Sequence, residues 1–135
     1  MNQDKILQSL REYMTFKNVP IDTQQHILTT VNYIYKQSYD DIHECISEIL
    51  LDEKVTFSDI PQIIRLLSSS VLLVTSIKNV KLDYKLLLRY FIFYIILNHA
   101  GRELIYMPSE DLYAFYDSIF DLLISKIVKT NCICQ

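Results

Sequence analysis

His43-Glu44-Cys45 is the densest run of side chains that could bind a metal or act as a nucleophile and base. Neighbours one or two apart on a helix point in different directions, and no second cluster completes a zinc site. The three histidines, His26, His43 and His99, fall in separate predicted helices, and each reads as a surface or boundary residue. Cys45 has no glycine-containing elbow or oxyanion loop beside it, so a Cys–His nucleophile is not supported. A single glycine in the chain also excludes phosphate-cradling loops. The joint Asp52-Glu53-Lys54-Val55-Thr56-Phe57-Ser58-Asp59 suggests the second half of a calcium loop. It fails there, because with Asp59 as the final ligand, Leu50 takes the third position and Glu53 the place of the sharp-turn glycine. No catalytic, cofactor or metal residue is assigned, and the chain is expected to be no enzyme.

Cys132-Ile133-Cys134-Gln135 matches the form of a prenylation signal on Cys132, although only Lys126 and Lys129 precede it and a frayed tail is the plainer reading. Two charge stripes stand out more. Lys81, Lys85 and Arg89 repeat every four residues, and Asp40, Glu44 and Glu48 do the same with opposite sign. Each can be a solvated helix face; the alternative is a polar contact in trans, between copies or with a neighbouring chain. Arg89 lies within an apolar helix, so burial would demand an acidic partner. Ten tyrosines include a cluster, Tyr33, Tyr35 and Tyr39, at the end of the second predicted helix, and a second set, Tyr106, Tyr113 and Tyr116. Tyrosine joins apolar area to a polar tip and is enriched in interfaces.

The elements that position these residues are organised around Leu86 to Leu97, LLLRYFIFYIIL, apolar on every face of a helix except for Arg89. At about 1.5 Å per residue it covers roughly 18 Å, too little for a bilayer, so it must be enclosed by protein. Amphipathic patterns predict helices over 2–16, 22–38, 40–50, 59–78, 83–99 and 109–129. Asp22, Ser58 or Asp59, Asp83 and Ser109 are the expected caps, and Pro20 and Pro61 mark helix starts. Gly101 falls where a left-handed C-cap needs it. The expectation is a single all-α domain, residues 1–135: a six-helix bundle around the helix at about 83–99, with its first three helices packed against its last three.

Half of the residues are hydrophobic and 21% are charged, which excludes a disordered chain. The mean hydropathy of +0.15 suggests apolar surface meant for a partner. A net charge of −3 offers no basic field for nucleic acid. Three cysteines, an odd number, are no disulfide framework, and Met1-Asn2-Gln3-Asp4-Lys5 does not resemble a signal peptide, so a reducing compartment is expected. Only Ala100 and Ala114 represent the best helix former, a scarcity that points to AT-rich coding, as in many viruses, intracellular parasites and some bacteria.

Residues 52–67, DEKVTFSDIPQIIRLL, are similar to the acidic-turn, Asp-Ile-Pro, aliphatic-helix pattern of small structural, minor capsid-type proteins of large double-stranded DNA viruses. That resemblance implies a virion component and assigns no site residues. Asn98-His99-Ala100-Gly101-Arg102 resembles the Asn-Trp-Gly-Arg element of helical apoptosis regulators of the B-cell-lymphoma type, but it closes the central helix where theirs opens it. The expected function is therefore a non-enzymatic structural or assembly protein, in the virion or host cytoplasm, with capsid or assembly partners or further copies of itself. Alternatives are a viral bundle binding a host factor in a groove, and a peripheral membrane protein anchored at its C-terminus.

Overall fold

Leu87, Leu88 and every residue from Tyr90 to Leu97 lie inside the protein, so the apolar stretch is enclosed by its neighbours on all sides. The computed structural model describes residues 3–50, 54–72 and 83–131. Among them are seven helices: α1 (Gln3–Phe16), α2 (Ile21–Gln37), α3 (Tyr39–Ile49), α4 (Ile60–Leu72), α5 (Tyr84–Asn98), α6 (Arg102–Ile105) and α7 (Ser109–Asn131). The all-α bundle around α5 is thus as expected, with one short helix, α6, in the stretch read as loop. The end of the fourth predicted helix and the turn after it fall at 73–82, outside the described residues, as do Asp52 and Cys132.

Helices α1 and α2 pack on α5, and α4 packs on both α5 and α7. Each presents one stripe inward: Ile6, Leu10, Tyr13 and Met14 from α1, and Ile27, Leu28, Val31 and Ile34 from α2. From α4 come Ile60, Ile63, Ile64 and Leu67, and from α7 Leu112, Tyr116, Phe120 and Leu123. All of them join one cluster with α5. Fully burying each large apolar side chain contributes about 1.5–3 kcal/mol, which makes this cluster the main source of stability.

The helix ends differ from expectation in instructive ways. The left-handed residue after a helix is Asn18 (φ 62°) rather than Gly101. The Val19 N–H donates to the Met14 carbonyl and the Asn18 N–H to that of Thr15, both at 3.0 Å, the paired bonds that close a helix with buried Val19 as its apolar plug. The Gln24 amide, buried in the corner, donates to the Val19 carbonyl at 2.9 Å and to Thr15 Oγ1 at 3.2 Å and so fixes the turn into α2. Asp22 is not the cap of α2, because Pro20 precedes the first helical residue and leaves Asp22 inside the first turn. Tyr39 opens α3 instead of closing α2. Before α4, a 3-10 turn (Phe57–Asp59) is held by Thr56, whose N–H and Oγ1 both donate to the Asp59 carboxylate at 3.0 and 2.9 Å. Asp83 does cap α5, accepting from the Lys85 N–H at 2.9 Å. Ser109 is the first helical residue of α7 rather than a residue before it.

Gly101 has extended backbone (φ −84°, ψ 177°), and its role is close approach. The Val55 N–H donates to the His99 carbonyl at 2.7 Å, and the Gly101 N–H donates to the Val55 carbonyl at 2.9 Å. This parallel bridge clasps the α3–α4 joint to the end of α5. A Cβ on Gly101 would stand 3.0 Å from the Val55 oxygen and 3.3 Å from Lys54 Cβ. Thermal denaturation is predicted to separate the two positions by sign. Gly101→Ala should destabilise by about 1–3 kcal/mol, the usual cost of overpacking, while Asn18→Gly should stabilise by about 0.5–1 kcal/mol because glycine adopts φ > 0 freely.

Candidate functional site

Arg89 is the one inward-turned charge of α5, and the side chains that answer it come from two other segments. Its Nη1 donates to Asp117 Oδ1 at 2.7 Å, and its Nη2 pairs with Asp121 Oδ1. Asp117 and Asp121 are four apart on α7 and so share a face. Asp117 also accepts from the Tyr13 hydroxyl and, at 3.0 Å, from Lys17 Nζ just beyond α1. The Tyr116 hydroxyl donates to the Arg89 backbone carbonyl at 2.6 Å, and the guanidinium lies 4.7 Å from the centre of the Phe120 ring. Two cations and two anions balance in this cluster.

Burial alone would pull the Arg89 guanidinium down, but hydrogen bonds to Tyr13 and Asp121 outweigh it and hold the group above its ordinary value. Burial, then the bond to Asp117, pushes the Tyr13 hydroxyl well up, so it stays a donor. The arrangement can hold α1, α5 and α7 in register. Its acid and base groups are engaged with one another.

A second polar group lies at the other end of α5. The His99 ring, half-buried, meets the Tyr35 hydroxyl at 3.4 Å through Nε2 and the His43 ring at 6.0 Å between centres. Tyr39 stacks on His43 at 5.7 Å, and Tyr35 stands edge-on to both Tyr39 and Tyr94. The Tyr94 hydroxyl donates to Asn32 Oδ1 at 3.4 Å and accepts from the Gln3 side-chain amide. Burial, with His43 and Lys54 adding to it, lowers the pKa of His99. The structure therefore brings together two of the three histidines that the sequence placed on separate helices. Among the described residues, no group of three or more His, Cys, Asp or Glu side chains converges as a metal site would.

The anticipated contact residues divide. Asp40, Glu44 and Glu48 are exposed on α3, as is Lys85 on α5, while Lys81 lies outside the described residues. Arg89 leaves the basic stripe: it turns inward and its charge is met by Asp117 and Asp121 of its own chain, so it is not available to an acid on another. Tyr33 and Tyr39 are exposed, but Tyr35 is core, its ring needed against Tyr94 and its hydroxyl against His99. Cys45 is half-buried, and burial together with Glu48, Glu44 and Asp41 raises its thiol pKa, which disfavours the thiolate.

Asp117, Asp121, Lys17 and Tyr13 were missed. The available signal was the i, i+4 acid pair beside the apolar face of the last helix, together with the demand that Arg89 places on some acid. Among the described residues, a pocket of about 60 Å³ is lined by Phe93, Leu97, Leu104, Met107, Leu112 and Tyr113 together with Ser9 and Ser109. It has room for a small apolar side chain and not for a helix. No described helix is long and apolar enough to cross a membrane.

The two acids should differ sharply when neutralised. The Asp117 side chain is 17% exposed and Asp121 60%. Asp117→Asn should cost about 2–4 kcal/mol in chemical denaturation, since it leaves two cations short of a partner, whereas Asp121→Asn should cost about 0–1 kcal/mol. A second expectation concerns alkali. Burial pushes the hydroxyls of Tyr35 and Tyr90 up to about 12. The folded state then holds protons that the unfolded chain releases, so stability is complete below about pH 10, the ordinary tyrosine value, and falls as pH rises from there. The ionisation of Tyr35 and Tyr90, followed by NMR, should coincide with loss of helical circular dichroism; their ionisation without unfolding would refute the assignment. Compared with known proteins, the chain matches no family model, no curated protein and no solved structure.

Proposed function

We propose that this chain is a non-enzymatic structural or assembly protein that works through protein–protein contacts, as a minor capsid or other virion component of a large DNA virus. The observation that carries the reading is the set of large apolar side chains left outside an otherwise filled core. Ile21 is 80% exposed, Tyr106 76% and Tyr33 63%. Tyr39 opens α3 beside Asp40, on the helix that exposes Glu44 and Glu48, and aromatic residues are enriched in interfaces. The viral assignment is supported by the likeness of residues 52–67 to minor capsid-type proteins and by the scarcity of alanine.

The test is incorporation into particles. Mass spectrometry of purified virions from the natural source should detect the chain at constant stoichiometry. Reversing the acidic face with Asp40→Lys, Glu44→Lys and Glu48→Lys, all exposed positions, should reduce incorporation about tenfold or more, the loss that accompanies 1.4 kcal/mol at an interface. Circular dichroism should stay unchanged, and Tm should fall by only a few degrees, because Asp40 alone of the three lies in the first turn of α3. Absence of the chain from particles would overturn the reading.

A further inference from the structure

The pocket between α1, α5, α6 and the start of α7 has no role in the reading above, yet exposed apolar side chains gather at it. Ile105 of α6 lines it and is exposed, and Tyr106, more exposed still, follows directly. On the α1 side, the exposed Phe16 ring lies 5.1 Å from that of Tyr113, another lining residue. Charges of both signs stand around these groups. The Arg102 guanidinium lies 5.9 Å from the centre of the Tyr106 ring, and Glu110 and Asp111 follow Ser109, which lines the pocket at the first residue of α7. All three charged side chains are exposed, whereas Glu103 accepts from the Phe57 N–H at 2.8 Å. Lys5 and Glu12, four before and three after the lining residue Ser9 on α1, add one charge of each sign.

We infer that this patch docks a second copy of the chain, in a two-fold contact that sets Ile105 and Tyr106 of each copy over the pocket of the other and brings Arg102 of each to Glu110 and Asp111 of the other. A two-fold contact presses one patch against itself, so each group must find its complement within that patch. A surface of one sign would repel its own copy and select a partner of opposite charge. Here a protruding aliphatic and aromatic pair adjoins a recess, and a cation adjoins acids, so both halves of each contact are present. The rim charges set the register, while the apolar side chains at the pocket supply most of the affinity. Aromatic residues and arginine are the types enriched in such interfaces. The contact belongs to the chain alone and does not require the virion reading.

Sedimentation equilibrium of the purified full chain reads the contact directly. The mass should rise with concentration from one chain toward two and no further, because a two-fold contact closes on itself. Arg102→Glu and Glu110→Lys should each weaken dimerisation about tenfold or more, since every reversal is felt twice in the pair. Mixed in equal amounts, the two variants should regain association, because each reversed charge then faces an opposite one. Tyr106→Ser should also weaken the dimer about tenfold, whereas Tyr33→Ser, at an exposed position on α2, should leave it unchanged. Circular dichroism should be the same for all of these variants. A single-chain mass up to about 1 mM, where even a weak contact would show, growth beyond two chains, a mixture that stays dissociated, or an equal loss with Tyr33→Ser would each overturn the two-fold contact.

Discussion

The contact on which the rest of the structure depends is the meeting of Arg89 with Asp117. Apolar burial is non-directional, so a helix greasy on every side gains nearly as much from one rotation about its axis as from another. α5 is such a helix, and Arg89 is the side chain that breaks its symmetry. Only one orientation brings the guanidinium to Asp117 and Asp121 while keeping Phe120 beneath it. Removing an arginine from water is costly unless it is both paired and hydrogen-bonded, so every other orientation carries a heavy penalty. Asp117 extends the same constraint to α1 through Tyr13 and Lys17. Three helices are thereby registered by one carboxylate.

The far end of α5 is fixed by different means. There the backbone of Val55 bridges His99 and Gly101, and the His43, Tyr39, Tyr35 and Tyr94 rings run in a line from the joint toward the core. A salt-bridged cluster near one end and a ring stack with a two-bond clasp at the other hold the rod against sliding as well as turning. The first is electrically balanced. The second is held by ring contacts and backbone hydrogen bonds.

Tyrosine supplies much of the aromatic volume in a chain that has no tryptophan. Tyr13, Tyr90, Tyr94 and Tyr116 are fully buried, and the rings of Tyr13 and Tyr116 meet Phe93. Hydroxyl partners accompany this burial: Asp117 for Tyr13, the Arg89 carbonyl for Tyr116 and Asn32 for Tyr94. Such partners lower the cost of burying a tyrosine hydroxyl, which explains why polar atoms thread through the core here. It also explains why counting tyrosines overstated the interface: those in contact with α5 are structural, and among the described residues Tyr33, Tyr39 and Tyr106 are the ones that face out.

Periodicity in the sequence was enough to determine that the chain is helical, where most helices lie, which stripe each one buries, that the helix at 83–99 is central, and that Arg89 needs an acid if buried. These follow from side-chain spacing along one element, which is a local property. Tertiary structure alone decided that the acids would be Asp117 and Asp121, that His43 and His99 would meet, that Tyr35 would be core, and that Gly101 would serve close approach while Asn18 takes the left-handed turn. Each of those outcomes joins segments far apart in the chain or depends on what lies across from a backbone atom. Helical pattern fixes which face turns inward; it carries no record of which other face will be opposite.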